Sequence, residues 1–195
     1  VWSVVVCALA AVASACGGGD DSSTSVPSTS AAPVVPVAQS DTCPTIHGTM
    51  TIAQSSGPRP PGLLTDADAG TEGCLDRVTF YFESLGDGTP PGYRVAYQDP
   101  PITDGDPPEE IAIDGEAFLS VTITPASSFD PRVEDQPPTY LGGLLLEYAD
   151  HHHLVVVRKL DDALGTVRWV IALDGRRPFL VDSATDPTRI TVYIG

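Results

Sequence analysis

The strongest constraint on this chain is an apolar alternation with a period of two, repeated along its C-terminal two-thirds. Val78, Phe80 and Phe82 alternate with Thr79 and Tyr81. Ala117, Leu119, Val121 and Ile123 alternate with Phe118, Ser120, Thr122 and Thr124. Val167, Trp169, Ile171 and Leu173 alternate with Arg168, Val170 and Ala172, and Ile190, Val192 and Ile194 with Thr191 and Tyr193. That spacing puts one set of side chains on one face of a strand. The segments Tyr93 to Tyr97, Leu144 to Tyr148, Leu154 to Leu160 and Phe179 to Val181 are also β-rich. A DGTPPG sequence at 87–92 and the pair Asp174-Gly175 read as turns. At most one helical turn is expected, at Leu160 to Leu164. Many short strands between Gly, Pro and Asp turns predict an all-β domain, an antiparallel β-sandwich or barrel-like fold. The last run, up to Ile194, is expected to close a sheet.

The N-terminal segment has another character. Residues 1–15, VWSVVVCALAAVASA, carry no charge. The run is shorter than the roughly 20 apolar residues that span a bilayer, and matches the apolar region of a signal peptide. The rival, a buried core segment, is disfavoured because the next residues offer nothing to pack against. Ala13-Ser14-Ala15-Cys16 resembles a lipoprotein signal: small residues precede a cysteine whose sulfur takes a diacylglycerol, and which becomes the N-terminus after cleavage. Ala13 stands where such signals usually have Leu. Residues 16–40 follow as a Gly/Ser/Thr/Pro tether without aromatic residues. Such a composition buries too little surface to offset its ordering entropy and predicts disorder. The folded domain is expected over 41–195.

The formal net charge is −16, from 26 acidic and 10 basic side chains. That excludes nucleic acid as a partner, since phosphates require Lys and Arg. It also excludes an electrostatic grip on anionic lipid, so contact with the membrane is assigned to the lipid at Cys16. Export to an oxidising compartment makes Cys43 and Cys74 the natural disulfide. The rival reading, a zinc site with His47, lacks ligands. His151 and His153 would share a face if they lay on a strand and are weak metal candidates; a polar turn is the simpler reading. The acidic loop with Asp99, Asp104, Asp106, Glu109 and Glu110 fits no calcium-loop spacing and reads as a solvated loop. No G-x-S-x-G occurs, so no catalytic residue and no cofactor are assigned. Trp169 is expected in the core. Candidate binding residues are Arg77, Tyr81, Tyr93, Arg94, Tyr97, Phe118 and Tyr193. All are expected on outward strand faces, where rings can stack and arginine forks can meet carboxylates.

Several segments, in this order, carry a family resemblance. They are Gly73-Cys74-Leu75-Asp76-Arg77-Val78-Thr79-Phe80, Pro91-Gly92-Tyr93-Arg94-Val95, Gly115-Glu116-Ala117-Phe118-Leu119-Ser120-Val121, Trp169-Val170-Ile171-Ala172-Leu173, Arg177-Pro178-Phe179-Leu180-Val181 and Pro187-Thr188-Arg189-Ile190-Thr191-Val192. Together they resemble the AMIN-like domain over about residues 70–195. The resemblance implies a bacterial secreted protein or lipoprotein of the high-G+C Gram-positive type. It also implies a β-sandwich that binds or targets, in the cell envelope, with peptidoglycan or an envelope protein as partner. It carries over no catalytic residue. A wall-acting hydrolase and a metal-binding lipoprotein are the alternative functions.

Overall fold

The computed structural model describes residues 43–84, 86–148 and 150–195. These belong to one compact unit, Ser40–Gly195, with its own core. Cys16, the signal segment and the tether lie outside the described residues. The strands are β1 (Ile52–Gln54), β2 (Gly62–Glu72), β3 (Leu75–Ser84), β4 (Gly92–Gln98), β5 (Thr103–Asp104), β6 (Glu109–Glu110), β7 (Ala117–Thr124), β8 (Ala126–Ser127), β9 (Leu154–Ala163), β10 (Thr166–Leu173), β11 (Phe179–Thr185) and β12 (Thr188–Ile194). They form two five-stranded sheets, ordered β1-β4-β7-β10-β9 and β11-β12-β3-β2-β8, with β5-β6 as a separate hairpin. All pairs are antiparallel except the short β2–β8 contact. No helix occurs among the described residues.

The two sheets pack face to face through the residues that the alternation singles out. Val78, Phe80 and Phe82 of β3 and Ile190, Val192 and Ile194 of β12 meet Leu119, Val121 and Ile123 of β7 and Val167, Trp169, Ile171 and Leu173 of β10. Trp169 is fully buried. Its ring lies 5.2 Å from Phe80 on the opposite sheet and 5.7 Å from Tyr140 in the long loop after β8. Such a side chain contributes several kcal/mol by burial, about 3–5 on truncation to Ala.

Three sequence expectations give way here, and two strands appear that the sequence did not announce. β1 and β2 are strands that alternation does not reveal: GLLTDADAGTE mixes Asp and Gly into the run and has a bulge between Leu64 and Asp66. The expected helical turn at Leu160 belongs to β9, and the chain turns at Leu164 and Gly165, both with positive φ. Leu144 to Tyr148 forms only an isolated bridge, Leu145 to Arg158, against β9. The last strand, β12, sits inside its sheet between β11 and β3 rather than at an edge.

The segment around 99–115, expected as a solvated loop, is a strap. Ile102, Ile111 and Ile113 pack on Phe118, Leu160, Val170 and Ala172, which form a second small core on the outside of the first sheet. Arg158 pairs with Asp104 at 3.8 Å and Arg168 donates to the Thr103 carbonyl at 3.5 Å, which pins the β5-β6 hairpin in place. The longer loop after β8 is anchored in a similar way. Ser128 donates its backbone N–H at 2.7 Å and its hydroxyl to Asp162, the Lys159 ammonium donates to the Ser128 hydroxyl at 2.6 Å, and Thr139 donates to the Leu64 carbonyl at 2.7 Å.

The Cys43–Cys74 disulfide is present, with a Cα–Cα distance of 5.8 Å and a sequence separation of 31. On the chain-entropy account, closing such a loop contributes about 3–4 kcal/mol. Next to it, Asp76 is fully buried. Its carboxylate accepts the backbone N–H groups of His152 at 2.8 Å, His153 at 2.5 Å and Leu154 at 2.8 Å, and so sets the entry into β9. Replacing Asp76 by Ala removes the acceptor of three backbone donors, one of them buried (Leu154) and two partly buried (His152, His153), and a stranded donor costs about 1–3 kcal/mol. Urea unfolding of D76A should therefore show a loss of at least about 3 kcal/mol. The exposed control Asp182→Ala should change stability by less than about 0.5 kcal/mol.

Candidate functional site

With the inward faces occupied, the outward faces decide what the domain can touch. The strap covers part of the first sheet. On the second sheet the outward residues of β2, β3, β11 and β12 form three rows across the strands. The first row is Leu180, Tyr193, Arg77 and Gly70. The second is Asp182, Thr191, Thr79 and Asp68, and the third is Ala184, Arg189, Tyr81 and Asp66. Tyr193 thus stands opposite Arg77, and Tyr81 opposite Arg189, with the Tyr–Arg order reversed between the two ends. From strand spacing and rise, the two tyrosines lie about 14 Å apart on a diagonal.

The middle of this face is held by short polar links. The Thr79 and Thr191 hydroxyls lie 3.3 Å apart. Arg77 donates to the Thr79 hydroxyl at 3.1 Å and pairs with Asp68 at 3.0 Å. The Tyr193 hydroxyl donates to Glu72 at 3.4 Å. Arg189 forms no ion pair among the described residues. One Asp68 oxygen is buried and has no hydrogen-bond partner. The face therefore presents two half-buried aromatic rings and one tethered and one open guanidinium, while Thr79 and Thr191 at its centre are buried.

Arg77, Tyr81 and Tyr193 are brought together here. The other predicted residues are not. Tyr93 and Tyr97 point between the sheets. The Tyr93 hydroxyl donates to Gln54 Oε1 at 3.2 Å. Tyr97 packs edge-on against Phe179, carries Arg176 4.4 Å above its ring and donates to the Arg177 carbonyl at 2.6 Å. Phe118 faces outward but lies under the strap. Arg94 is exposed on the first sheet, opposite Ala53 and Thr122. Alternation predicts which residues share a face of one strand. It does not tell which of the two faces will be buried when the flanking residues are aromatic on both. Arg189, Asp68 and Asp182 were missed because only cross-strand register puts them beside Arg77 and Tyr81.

The sequence matches the AMIN-like domain family over residues 62–195. The chain belongs to the AMIN-like domain family. No curated protein and no solved structure matches the chain at a significant level. The family match starts at Gly62, the first residue of β2, so it takes in the strand that lies upstream of the resemblance at 70. AMIN-like domains are generally non-catalytic binding modules associated with the cell envelope and its peptidoglycan.

Two clusters in this AMIN-like domain bear on catalysis and metal binding. Ser128, Lys159 and Asp162 look like a nucleophile beside an amine, but Ser128 and Lys159 are both buried. The ammonium pairs with Asp162 at 3.5 Å, and the Ser128 hydroxyl donates to the same carboxylate. The group clamps the loop to β9. At the start of β9, His151 stacks edge-on against Tyr148 at 5.1 Å and His153 faces Asp174 at 3.3 Å. They precede the strand rather than share one of its faces, because Asp76 holds the backbone at 152–154. Among the described residues no group of three or more His, Cys, Asp or Glu side chains is placed to hold a metal.

Burial pushes the Tyr93, Tyr97, Tyr140, Tyr148 and Tyr193 phenols above their ordinary value, and the Glu72 carboxylate adds to this at Tyr193. A phenol whose folded value is raised contributes stability that is fully present below the unfolded value, about 10, and is lost as pH rises through the folded value. Phenolate absorbance of the folded domain should therefore lag behind that of the urea-unfolded chain. On the alkaline side the urea midpoint should fall above about pH 10. Coincident folded and unfolded titrations would contradict the buried placement of these rings.

Proposed function

We propose that this chain is a lipid-anchored, extracytoplasmic binding module whose ligand face is the outward side of β2, β3, β12 and β11. In this reading residues 1–15 are the signal, Cys16 carries the lipid, 16–40 are the tether and 41–195 are the domain. The observation that carries the reading is the contrast between the two sheets. One outward face is largely spent on packing its own strap. The other carries no such strap among the described residues and presents Tyr81, Tyr193, Arg77 and Arg189, each half-buried, in register. A net charge of −16 leaves no long-range attraction for a polyanion. The target is therefore gripped at short range, by rings stacking on the apolar faces of sugars and by arginine forks meeting carboxylates. Peptidoglycan offers both groups and is the target we favour; an envelope protein is the other outcome of the test.

The test is retention of the Ser40–Gly195 unit on purified sacculi over a range of salt. The wild-type domain should be retained, and the double variant Tyr81→Ala, Tyr193→Ala should lose at least about tenfold in affinity while keeping its unfolding midpoint, since each stacked ring is worth about 1 kcal/mol or more. Absence of wild-type retention at any salt would remove peptidoglycan. Retention that the double variant does not alter would remove this face as the site. The anchor is checked separately in cells. Cys16→Ser, with the signal still cut, should release the protein to the medium, and unchanged membrane retention would refute lipidation.

A further inference from the structure

The outward face of the first sheet is not covered evenly. Three arginines point out from it. Arg158 pairs with Asp104 and Arg168 with Asp161, both at the strap end. Arg94, two strands from Arg168 in the row that passes through Thr122, forms no ion pair among the described residues. In a chain with 26 acidic side chains, an exposed arginine without an acidic partner stands out.

Arg94 lies beside a cleft of about 470 Å³, lined by Ala53, Ser55, Ser56, Arg94, Thr122 and Thr124 among others. That volume lies within the range of small-ligand sites, roughly 300–1,000 Å³. The wall opposite the sheet is made by the chain leaving β1, and it is held close. A Cβ on Gly92 would come within 2.8 Å of the Thr124 carbonyl oxygen, 2.9 Å of the Gln54 carbonyl oxygen and 3.0 Å of the Ser56 nitrogen. The Tyr93 hydroxyl bond to Gln54 ties the same corner. Three consecutive residues, Gly92, Tyr93 and Arg94, thus shape the cleft and supply its one cation. A second observation points to a ligand. The Ser56 hydroxyl oxygen, in the cleft wall, is buried and has no hydrogen-bond partner. Buried polar groups are seldom left so, because an unmade bond costs about 1–3 kcal/mol.

We propose that this cleft binds a small ligand through one carboxylate, with the Arg94 guanidinium as its fork and the Ser56 hydroxyl, once its side chain rotates from its buried position into the cleft, as an accessory donor. A planar guanidinium matches a carboxylate in a two-bond pairing. One fork balances one negative charge, and the acidic surface opposes a more highly charged anion, which disfavours phosphate. Peptide C-termini and sugar acids carry the same group. The site lies on the opposite sheet from the Tyr–Arg face and does not rest on the reading of that face.

The test is a titration of the Ser40–Gly195 unit followed by amide NMR signals. The probes are N-acetyl-L-alanine, N-acetyl-D-alanine and glucuronate, with N-acetyl-alaninamide and inorganic phosphate as controls. At least one carboxylate should shift the signals of Ser55, Ser56, Gly57 and Arg94 saturably in the millimolar range, while the uncharged amide does not. The acetylated alanines mark a peptide source and glucuronate a sugar source. Arg94→Gln should weaken binding by about tenfold or more at an unchanged unfolding midpoint, and Arg94→Lys should restore part of it. Ser56→Ala should weaken it by a smaller factor. The proposal is overturned if no carboxylate saturates at tens of millimolar, if the amide or phosphate binds as well as the carboxylates, or if Arg94→Gln binds like the wild type. Sacculus retention in Arg94→Gln reports on the Tyr–Arg face, so failure of either site is seen separately.

Discussion

Everything in this domain depends on Trp169 being buried between the two sheets. Its ring touches Phe80 across the sandwich and Tyr140 from the long loop, so one side chain joins both layers and closes the end of the core. Once Trp169 and Phe80 point inward, the period-two geometry of β10 and β3 leaves no choice for their neighbours. Arg168, Arg77, Thr79 and Tyr81 must face out. The face proposed for binding is in this sense the reverse side of the core.

A second constraint is the cost of burying charge. This acidic chain buries Asp76, and it places Lys159 in a nearly buried position beside Asp162. Each is surrounded by partners, as burial requires. Each also ties a distant segment to the sandwich: Asp76 holds residues 152–154, and the Lys159–Ser128–Asp162 group holds the loop after β8. The arginines that form ion pairs mostly do comparable work, pinning the strap or the turn at Asp174. Arg94 and Arg189 do none of it. They remain available on opposite sheets.

Much of the fold was legible in the residues. β3, β7, β10 and β12 announce themselves by alternation, because each lines the core with one face and meets water or a thin cover with the other. The Cys43–Cys74 pairing followed from the cysteine set and the expected compartment. β2 stayed hidden because its core face is built from Leu64, Ala67 and Ala69 around a bulge, too small and too irregular for a period to stand out. The strap was hidden because three isoleucines spread through a Pro- and Asp-rich stretch show no period at all. They are apolar for the sake of a surface that only exists once β7, β9 and β10 lie side by side.

For the candidate site the division is sharper. By itself the sequence determined that the domain is all-β, that Arg77 and Tyr81 share a strand face, and that so acidic a chain does not suit nucleic acid as a partner. It could not decide which tyrosines face out. Tyr93 and Tyr97 alternate as regularly as Tyr81, yet they lie between the sheets, bonded to Gln54 and to the Arg177 backbone. Only the tertiary structure decided that Tyr193 stands opposite Arg77 and Tyr81 opposite Arg189, and that Arg94 alone among three outward arginines of its sheet lacks an aspartate. The physical reason is that a strand's pattern records only its own two faces. Which face is buried, and what stands beside it, is set by pairing with strands more than a hundred residues away.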